Sequence, residues 1–237
     1  MTLNYTPSRE EALIRSIIDA KFAYHKKSKN RKASPPVVAM YRDYGAGGDH
    51  ISRILAKKLG VNVYDKEILD SIAKAANVDA SLMKELDDKV RKDKSAWVRG
   101  LFTTNTAYPA SYRHHLVNVI LGIAQTGGII MGRAAHIILS DRKAFRVRVI
   151  GNEKCCAERI VEREAMSFES AQVKVASINQ ERIEFLREMF GVRLNENPSD
   201  FDLIINTDRF DNIDVSAEII LMAMVSMGFE LPEQSDE

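Results

Sequence analysis

The sequence predicts an α/β fold with a mostly parallel sheet. The chain has 237 residues, and its hydrophobic content of 45% is enough for a substantial core. Short runs that are apolar on both faces alternate with longer segments of helical periodicity, a pattern typical of strands buried between helices. One of the junctions between strand and helix is rich in glycine, as tight turns in such folds often are.

Five apolar runs are predicted to be strands. They cover residues 37–41, 61–64, 129–132, 145–150 and 202–206. Because helical segments separate them, these strands should pair in parallel, and their carboxyl ends should meet at one edge of the sheet. Ligands of open α/β sheets bind at that edge, so the loops that follow the five runs are the candidate ligand loops.

Helical periodicity is predicted in the segments between and after the strands. These segments are residues 49–59, 66–76, 79–91, 111–126, 153–166, 168–190 and 213–227. Residues 92–110 show neither helical nor strand periodicity and are predicted to be irregular. The main domain is therefore predicted to run from residue 37 to residue 237.

Residues 1–36 are predicted to form a separate N-terminal part. Residues 8–25 have the pattern of an amphipathic helix that begins at a capping box of Ser8 and Glu11. The basic run that follows ends at two prolines and is interpreted as a linker. The apolar stripe of this helix must be buried on the main domain or on another chain, which leaves a homo-oligomer or a protein partner open.

The composition argues against several classes of protein. Lys+Arg 34 against Asp+Glu 33 leaves a net charge of +1, whereas general nucleic-acid or membrane-surface binders usually carry a basic excess. No apolar run is long enough to span a membrane and no signal peptide is visible, so we expect a cytoplasmic protein. The adjacent Cys155 and Cys156 are interpreted as packing residues in a reducing compartment. The histidines lack metal-ligand spacing, and no metal site is expected.

The stretch VVAMYRDYGAGGDHI carries the clearest functional pattern. Its turn consists of Gly45, Ala46, Gly47 and Gly48. Backbone N–H groups in such a turn, followed by a helix that begins near Asp49, can converge on a phosphate. The usual phosphate-binding loop ends in a lysine and a hydroxyl residue, and both are missing here. Arg42 is the nearest cation that can replace the lysine, and His50 is a candidate hydrogen-bond donor or proton-transfer group. The alternative is a turn with a purely structural role.

Six segments in order extend this pattern over most of the chain. They are YRDYGAGG, LAKKLGVNVYDKEIL, GGIIMGRAAHIIL, RVRVIGNEKCCAERIVERE, INQERIEFLREMFG and FDLIINTDRFDNIDVSAEII. Together they resemble the cytidylate kinase-like family, which is related to bacterial cytidylate kinases within the P-loop nucleoside monophosphate kinases. The resemblance implies a three-layer P-loop NTPase-like fold. It also implies a five-stranded parallel core and a small helical lid over residues 167–195, with residues 92–110 on the acceptor side.

The resemblance also assigns roles by position. The candidate catalytic residues are Arg42, Arg133 and Arg182. The candidate donor-nucleotide residues are the glycine turn (residues 45–48), Asp49 and His50. The candidate substrate-binding residues are Asp65, Arg133, Arg159 and Arg163. In the family pattern Gly132-Arg133 helps to hold the acceptor nucleotide, and Arg182 is the arginine of the lid.

The implied activity is phosphorylation of a nucleoside monophosphate, CMP-like or a related small acceptor, with ATP and Mg²⁺ both inferred from the resemblance. The chain departs from the family pattern at Asp49, at Ala134 in place of the aspartate of G-R-D, and at Asn179 in place of the lid aspartate. These departures keep a second hypothesis open. In it, the chain is a catalytically impaired P-loop protein that binds a nucleotide or acts through a protein partner.

Overall fold

Five strands form a single parallel sheet in the computed structural model, which describes residues 35–70, 110–191 and 197–232. The strands are β1 Val37–Arg42, β2 Val63–Tyr64, β3 Gly128–Met131, β4 Phe145–Ile150 and β5 Leu203–Asn206. Their order across the sheet is β2-β3-β1-β4-β5. The central strand β1 is paired on both sides, with Val38 opposite Ile129 of β3 and Phe145 of β4.

Helices follow the strands and cover both faces of the sheet. They are α1 Gly48–Leu59, α2 Ala110–Thr126, α3 Ala135–Ile138, α4 Glu153–Glu164, α5 Phe168–Phe190 and α6 Asp214–Ser226. Residues 66–70 are also helical, and Pro198–Asp200 form a 3-10 turn.

Two hydrophobic cores lie on opposite faces of the sheet. Side chains alternate along β1, so that Ala39 and Tyr41 belong to one core while Val38 and Met40 belong to the other. The first core packs against α2, α3 and the carboxyl-terminal half of α5. The second packs against α1, α4 and α6. This double coverage explains why β1 and β3 are apolar on both faces, and it confirms the predicted three-layer α/β fold.

The element boundaries agree closely with those predicted from periodicity. All five strands are present, and the described helices begin and end within two residues of the prediction. The short helix α3 and the 3-10 turn are additions that periodicity missed, because each is too short to show it.

Several sequence predictions fall on residues outside the described ranges. They are the N-terminal helix 8–25 and its linker, residues 71–76, the helix 79–91, the segment 92–109, and residues 192–195 of the lid region. The division of the chain near residue 36 therefore stays a prediction. No helix within the described ranges is long and apolar enough to cross a membrane.

Candidate functional site

The loops at the carboxyl ends of β1, β3 and β5 meet at one edge of the sheet, beside helix α5. A cleft of about 520 Å³ opens there. Its walls come from the ends of β1 and β3, from the first helical residues after β2, and from α5. They include Tyr41, Arg42, Tyr44, Lys66, Met131, Gly132, Arg133, Arg182 and Phe185. The cleft therefore lies where a parallel α/β sheet places its ligands.

The glycine turn after β1 has a backbone that requires glycine at two positions. Gly45 and Gly47 both have a φ of 85°, in the left-handed region that residues with a Cβ rarely adopt. A Cβ on Gly45 would also lie 2.6 Å from the carbonyl oxygen of Cys156 on α4. The turn is therefore packed directly against α4 and cannot move back to make room for a side chain.

Several backbone N–H groups of this turn are available to a ligand. Within the described part of the chain, no protein acceptor is found for the N–H groups of Gly45, Gly47, Gly48 and Asp49. The N–H of Tyr44, by contrast, donates to Oδ1 of Asn179 on α5 at 2.7 Å. The helix N-terminus adds positive partial charge to the four available donors, so the turn is equipped to bind an anion.

Two carbonyl groups of the same turn accept hydrogen bonds from side chains outside the turn. The buried Thr207, directly after β5, donates its hydroxyl to the carbonyl oxygen of Ala46 at 2.9 Å. Arg159 on α4 donates Nη2 to the carbonyl oxygen of Thr207 at 2.6 Å and Nη1 to that of Gly45 at 3.4 Å. These bonds fix the carbonyl groups of Gly45 and Ala46 in place. Arg159, predicted to bind substrate, is thus placed behind the glycine turn and away from the cleft.

Arg42 and Arg182 bring two guanidinium groups to the mouth of the turn. Nε and Nη2 of Arg42 each lie 3.2 Å from Oδ1 of Asp49. Arg182 on α5 donates Nη1 to the carbonyl oxygen of Arg42 at 2.9 Å. Burial, and then the charge of Arg42, lower the pKa of Arg182 to about 10. Among the described residues, Arg182 has no carboxylate partner, so it is a largely desolvated cation beside another cation.

Tyr44 connects the turn to helices α4 and α5. Its ring centroid lies 5.3 Å from the guanidinium of Arg163, 5.8 Å from Nζ of Lys174 and 5.7 Å from the guanidinium of Arg182, within cation–π range. Its hydroxyl donates to Glu164 at 2.7 Å and accepts from Arg163 at 2.9 Å. Hydrogen bonds from Lys174, Arg163 and Tyr44 lower the pKa of Glu164 to about 2. Arg163 therefore serves this junction and does not line the cleft.

The end of β3 has an unusual backbone. Gly132, Arg133 and Ala134 are three consecutive residues with positive φ, of 74°, 49° and 61°. Such values cost residues with a Cβ of the order of 1 kcal/mol or more each, and they persist only where the surroundings enforce them. The turn directs the Arg133 side chain into the cleft, because the chain reverses immediately after the buried strand.

The Arg133 side chain is held on several sides. Nε donates to Oδ1 of Asp70 at 3.0 Å, and Nη2 contacts the second carboxylate oxygen. Tyr112 on α2 donates its hydroxyl to the same carboxylate at 2.6 Å. The guanidinium lies over the ring of Phe185 on α5, 4.3 Å from the centroid. This arrangement fixes the cation in one position at the wall of the cleft.

Two predicted site residues have structural partners away from the cleft. Asp65 accepts the N–H of Ile68 at 2.9 Å, which makes it the N-cap of the helical residues 66–70. Nε2 of His50 lies 2.6 Å from Oδ1 of Asp214 at the start of α6, and both side chains are more than half exposed. The structure thus brings Arg42, Arg133 and Arg182 into one cleft, whereas His50, Asp65, Arg159 and Arg163 do not line it.

Sequence reasoning missed several residues of the site. Tyr44 and Thr207 carried a usable signal, since Tyr44 directly precedes the glycine turn and Thr207 directly follows β5 at the ligand edge of the sheet. Lys66 lies just after β2, in one of the candidate ligand loops, and could have been predicted in the same way. Asp70 carried no such signal, because its partner Arg133 is 63 positions away in the chain.

The described residues offer one suitable carboxylate for Mg²⁺, so the remaining ligands would have to come from phosphate oxygens and water. No group of three or more His, Cys, Asp or Glu residues in the described ranges could hold a metal ion by itself. Kinase sites usually hold Mg²⁺ by one or two carboxylates together with phosphate oxygens. Asp49 fits this role, since it stands in the slot of the usual hydroxyl residue and its side chain is 47% exposed. Asp43 does not fit, because burial raises its pKa.

Comparison with known proteins supports the resemblance. The family model described as "Cytidylate kinase-like family" matches residues 37–209. A solved structure of an uncharacterized protein from Eubacterium ventriosum is 20% identical, with a TM-score of 0.66, and covers 81% of this chain and 99% of its own. At that identity the likeness shows the fold alone. No curated protein matches significantly.

Two solved shikimate kinases are also similar, though more loosely. The enzyme from Bacteroides thetaiotaomicron is 16% identical with a TM-score of 0.42, and covers 81% of this chain and 97% of its own. The enzyme from Acinetobacter baumannii, in complex with shikimate, is 15% identical with a TM-score of 0.42, and covers 83% and 97%. Overlaps this loose say nothing about the substrate of the present chain.

Proposed function

The chain belongs to the cytidylate kinase-like family, and on that premise we propose that it transfers the terminal phosphoryl group of ATP to a nucleoside monophosphate or a related small acceptor. Phosphoryl transfer needs positioned reactants and positive charge more than it needs covalent catalysis. The described site supplies both requirements, with the glycine turn and Arg42 on one side of the cleft and Arg133 on the other.

The observation that carries this proposal is the placement of Arg182. Burial of a guanidinium costs free energy, because the charge loses most of its water. Arg182 has no carboxylate partner among the described residues to offset this cost, and the positive charge of Arg42 increases it. An anion bound at the glycine turn would relieve this cost. The N–H groups of Gly45, Gly47, Gly48 and Asp49 are open on the same turn, so the cations and the amide donors serve one ligand.

The residues divide the work between donor and acceptor. In the proposed reaction the turn binds the outer phosphates of the triphosphate through its amides, and Arg182 neutralises charge that develops during transfer. Arg133, fixed by Asp70 and Phe185, positions the acceptor. Mg²⁺, when bound by Asp49 and phosphate oxygens, supplies further positive charge. The cleft volume of about 520 Å³ lies in the range of small-ligand sites.

A second candidate function is that of a catalytically impaired nucleotide-binding protein. Two observations favour it. Ala134 stands where cytidylate kinases have the aspartate of G-R-D, and it is fully buried. Arg42 and Arg133 are each already paired with a carboxylate, Asp49 and Asp70. A protein of this kind would bind a triphosphate without transferring its phosphoryl group.

Thermal-shift measurements with nucleoside mono-, di- and triphosphates, with and without Mg²⁺, test the proposal. A ligand that binds only the native state at a concentration of 100 Kd adds about 2.7 kcal/mol, which raises the Tm of a domain of this size by about 5–10 °C. We expect this shift with ATP and with one monophosphate. The matched control ligands are the nucleosides adenosine and cytidine, which lack phosphate and should give no shift.

A transfer assay separates the two candidate functions. ADP formation that requires the stabilising monophosphate supports the kinase. Binding of ATP without acceptor-dependent ADP formation supports the impaired protein. Absence of any shift with all triphosphates would contradict both functions.

A further inference from the structure

Gly48 stands at the position of the lysine in ordinary phosphate-binding loops, and its surroundings explain why a lysine is missing. Gly48 is the first residue of α1, and its φ is not positive, so the backbone there does not itself require glycine. A Cβ on Gly48 would lie 2.7 Å from Cβ and 2.8 Å from Cγ of Arg42. The stem of Arg42 therefore occupies the space that any larger residue at position 48 would need.

The guanidinium of Arg42 lies next to a second glycine, Gly132. A Cβ on Gly132, at the end of β3, would lie 3.1 Å from Nη1 of Arg42. Arg42 thus extends from the glycine turn towards the neighbouring strand end that carries Arg133. Its side chain is only 11% exposed. The guanidinium is held between the donor side and the acceptor side of the cleft, where a lysine would place its ammonium group in the usual loop.

Asp49 holds the head of Arg42 by a contact that is easily exchanged. Two nitrogens of Arg42 share the single oxygen Oδ1 at 3.2 Å each, longer than the 2.7–2.9 Å typical of charge-assisted hydrogen bonds. The carboxylate is 47% exposed and so keeps much of its hydration. A phosphate group offers more charge and more acceptor oxygens than this carboxylate, so it can replace Asp49 on the guanidinium.

We propose that Arg42 performs the task of the missing lysine, that Gly48 is a glycine because the stem of Arg42 crosses it, and that Asp49 holds Arg42 in place until a phosphate takes over. The ligand part of this inference rests on the proposed function. The packing of Arg42 over Gly48 does not, and it can be tested without any ligand.

A double-mutant cycle of stability tests the packing. Gly48→Ala should lower the Tm by several degrees, because the new methyl group collides with the stem of Arg42. In an Arg42→Gly background the same substitution should raise the Tm, since alanine is the better helix former once the collision is gone. An equal loss in both backgrounds would overturn the inference.

Calorimetric titration with MgATP tests the function of the pair. Arg42→Gly should weaken binding by about 10- to 100-fold, the usual effect of losing a charged hydrogen bond. Adding Gly48→Lys to Arg42→Gly should restore most of the affinity. Asp49→Asn should tighten binding of ATP without Mg²⁺, because it releases Arg42 and no metal then needs the carboxylate. Arg42→Gln, which keeps the stem and removes the charge, replaces Arg42→Gly if the latter fails to fold. Arg53→Ala is the matched control, because the one hydrogen bond found for Arg53 among the described residues goes to the backbone carbonyl of Asp49.

The outcomes separate the two levels of the argument. If the wild-type protein does not bind MgATP, the proposed function fails, while the stability cycle still decides the packing of Arg42 over Gly48. If the wild-type protein binds MgATP and Gly48→Lys restores none of the affinity lost with Arg42→Gly, the assignment of the lysine's task to Arg42 is overturned.

Discussion

Arg42 ends β1 and Arg133 follows the adjacent strand β3. Each is paired with a carboxylate, yet the two are held in different ways. Arg133 engages both oxygens of Asp70 and lies on the ring of Phe185. Arg42 engages one oxygen of Asp49 at 3.2 Å. A guanidinium that uses two nitrogens on two oxygens becomes part of the scaffold. One that shares a single exposed oxygen is free to exchange that partner for a ligand.

The surroundings of the two carboxylates deepen this contrast. The side chain of Asp70 is 20% exposed and takes a further hydrogen bond from Tyr112. The side chain of Asp49 is 47% exposed. Removing one charge of a desolvated pair leaves the other charge buried without compensation, which lowers stability. At a half-exposed carboxylate, water replaces the lost partner and the cost is small. The end of β3 is therefore built for rigidity and the glycine turn for exchange.

The largest expected effect comes from Arg133→Ala. Among the described residues, it leaves the carboxylate of Asp70 with one neutral partner, Tyr112, and we expect a loss of about 2–3 kcal/mol in the free energy of unfolding. It should also abolish acceptor binding, as measured by calorimetry. Arg42→Ala is the matched variant and should cost less than about 1 kcal/mol, because Asp49 stays hydrated. Equal losses from the two substitutions would break the comparison, and unchanged acceptor affinity would refute the role of Arg133.

Acid should weaken the region at the end of β3 through His136, which lies on α3 directly beyond the Arg133 turn. Its ring is buried and stacked on Phe201 at 4.7 Å. Burial, and then the charges of Arg146 and Arg148, lower its pKa from 6.5 to about 3. The unfolded chain binds a proton below pH 6.5 while the folded protein does not until about pH 3. Stability therefore falls as the pH drops through this window, by at most about 1.4 kcal/mol per unit.

Melting temperatures measured between pH 7 and pH 4 check this prediction. His136→Phe keeps an aromatic ring and removes the titrating group, so its Tm should fall less steeply with acid than that of the wild type. Parallel pH profiles for the two proteins would show that His136 does not contribute to the acid sensitivity.

The smallest expected effect, with the opposite sign, comes from Arg182→Met. This substitution removes a desolvated charge that Arg42 repels, so the free energy of unfolding should rise by up to about 1 kcal/mol in urea titrations. The affinity for a triphosphate should fall in the same variant. The control is Arg187→Met on the same helix, where the arginine is more than half exposed and pairs with Glu188. A clear loss of stability in Arg182→Met would show that its charge is already compensated in the folded protein.

Local pattern was sufficient to predict the five strands and the longer described helices. β4 shows why, since its residues alternate between buried and half-buried along FRVRVI, as the sequence alternates between apolar and basic side chains. The glycine turn was equally visible, because Gly45 and Gly47 are needed for a backbone conformation that depends on neighbouring residues alone.

The partners within the site could not be predicted in this way. Arg182 meets the backbone of Arg42 across 140 positions, and Arg163 meets Tyr44 across 119. Periodicity assigns a residue to a face of its own helix and does not say which distant side chain will face it. Resemblance supplied part of this information by placing Arg42, Arg133 and Arg182 at one site. Their catalytic roles stay predictions.

The bonds from Thr207 and Arg159 to the carbonyl groups of the glycine turn have a kinetic consequence. Both are made between groups of the protein itself, so folding restricts the conformational freedom of the loop. An incoming triphosphate would meet a preorganised loop. Its capture would then be set by diffusion and by the attraction of the nearby cations, with no delay for the backbone to rearrange.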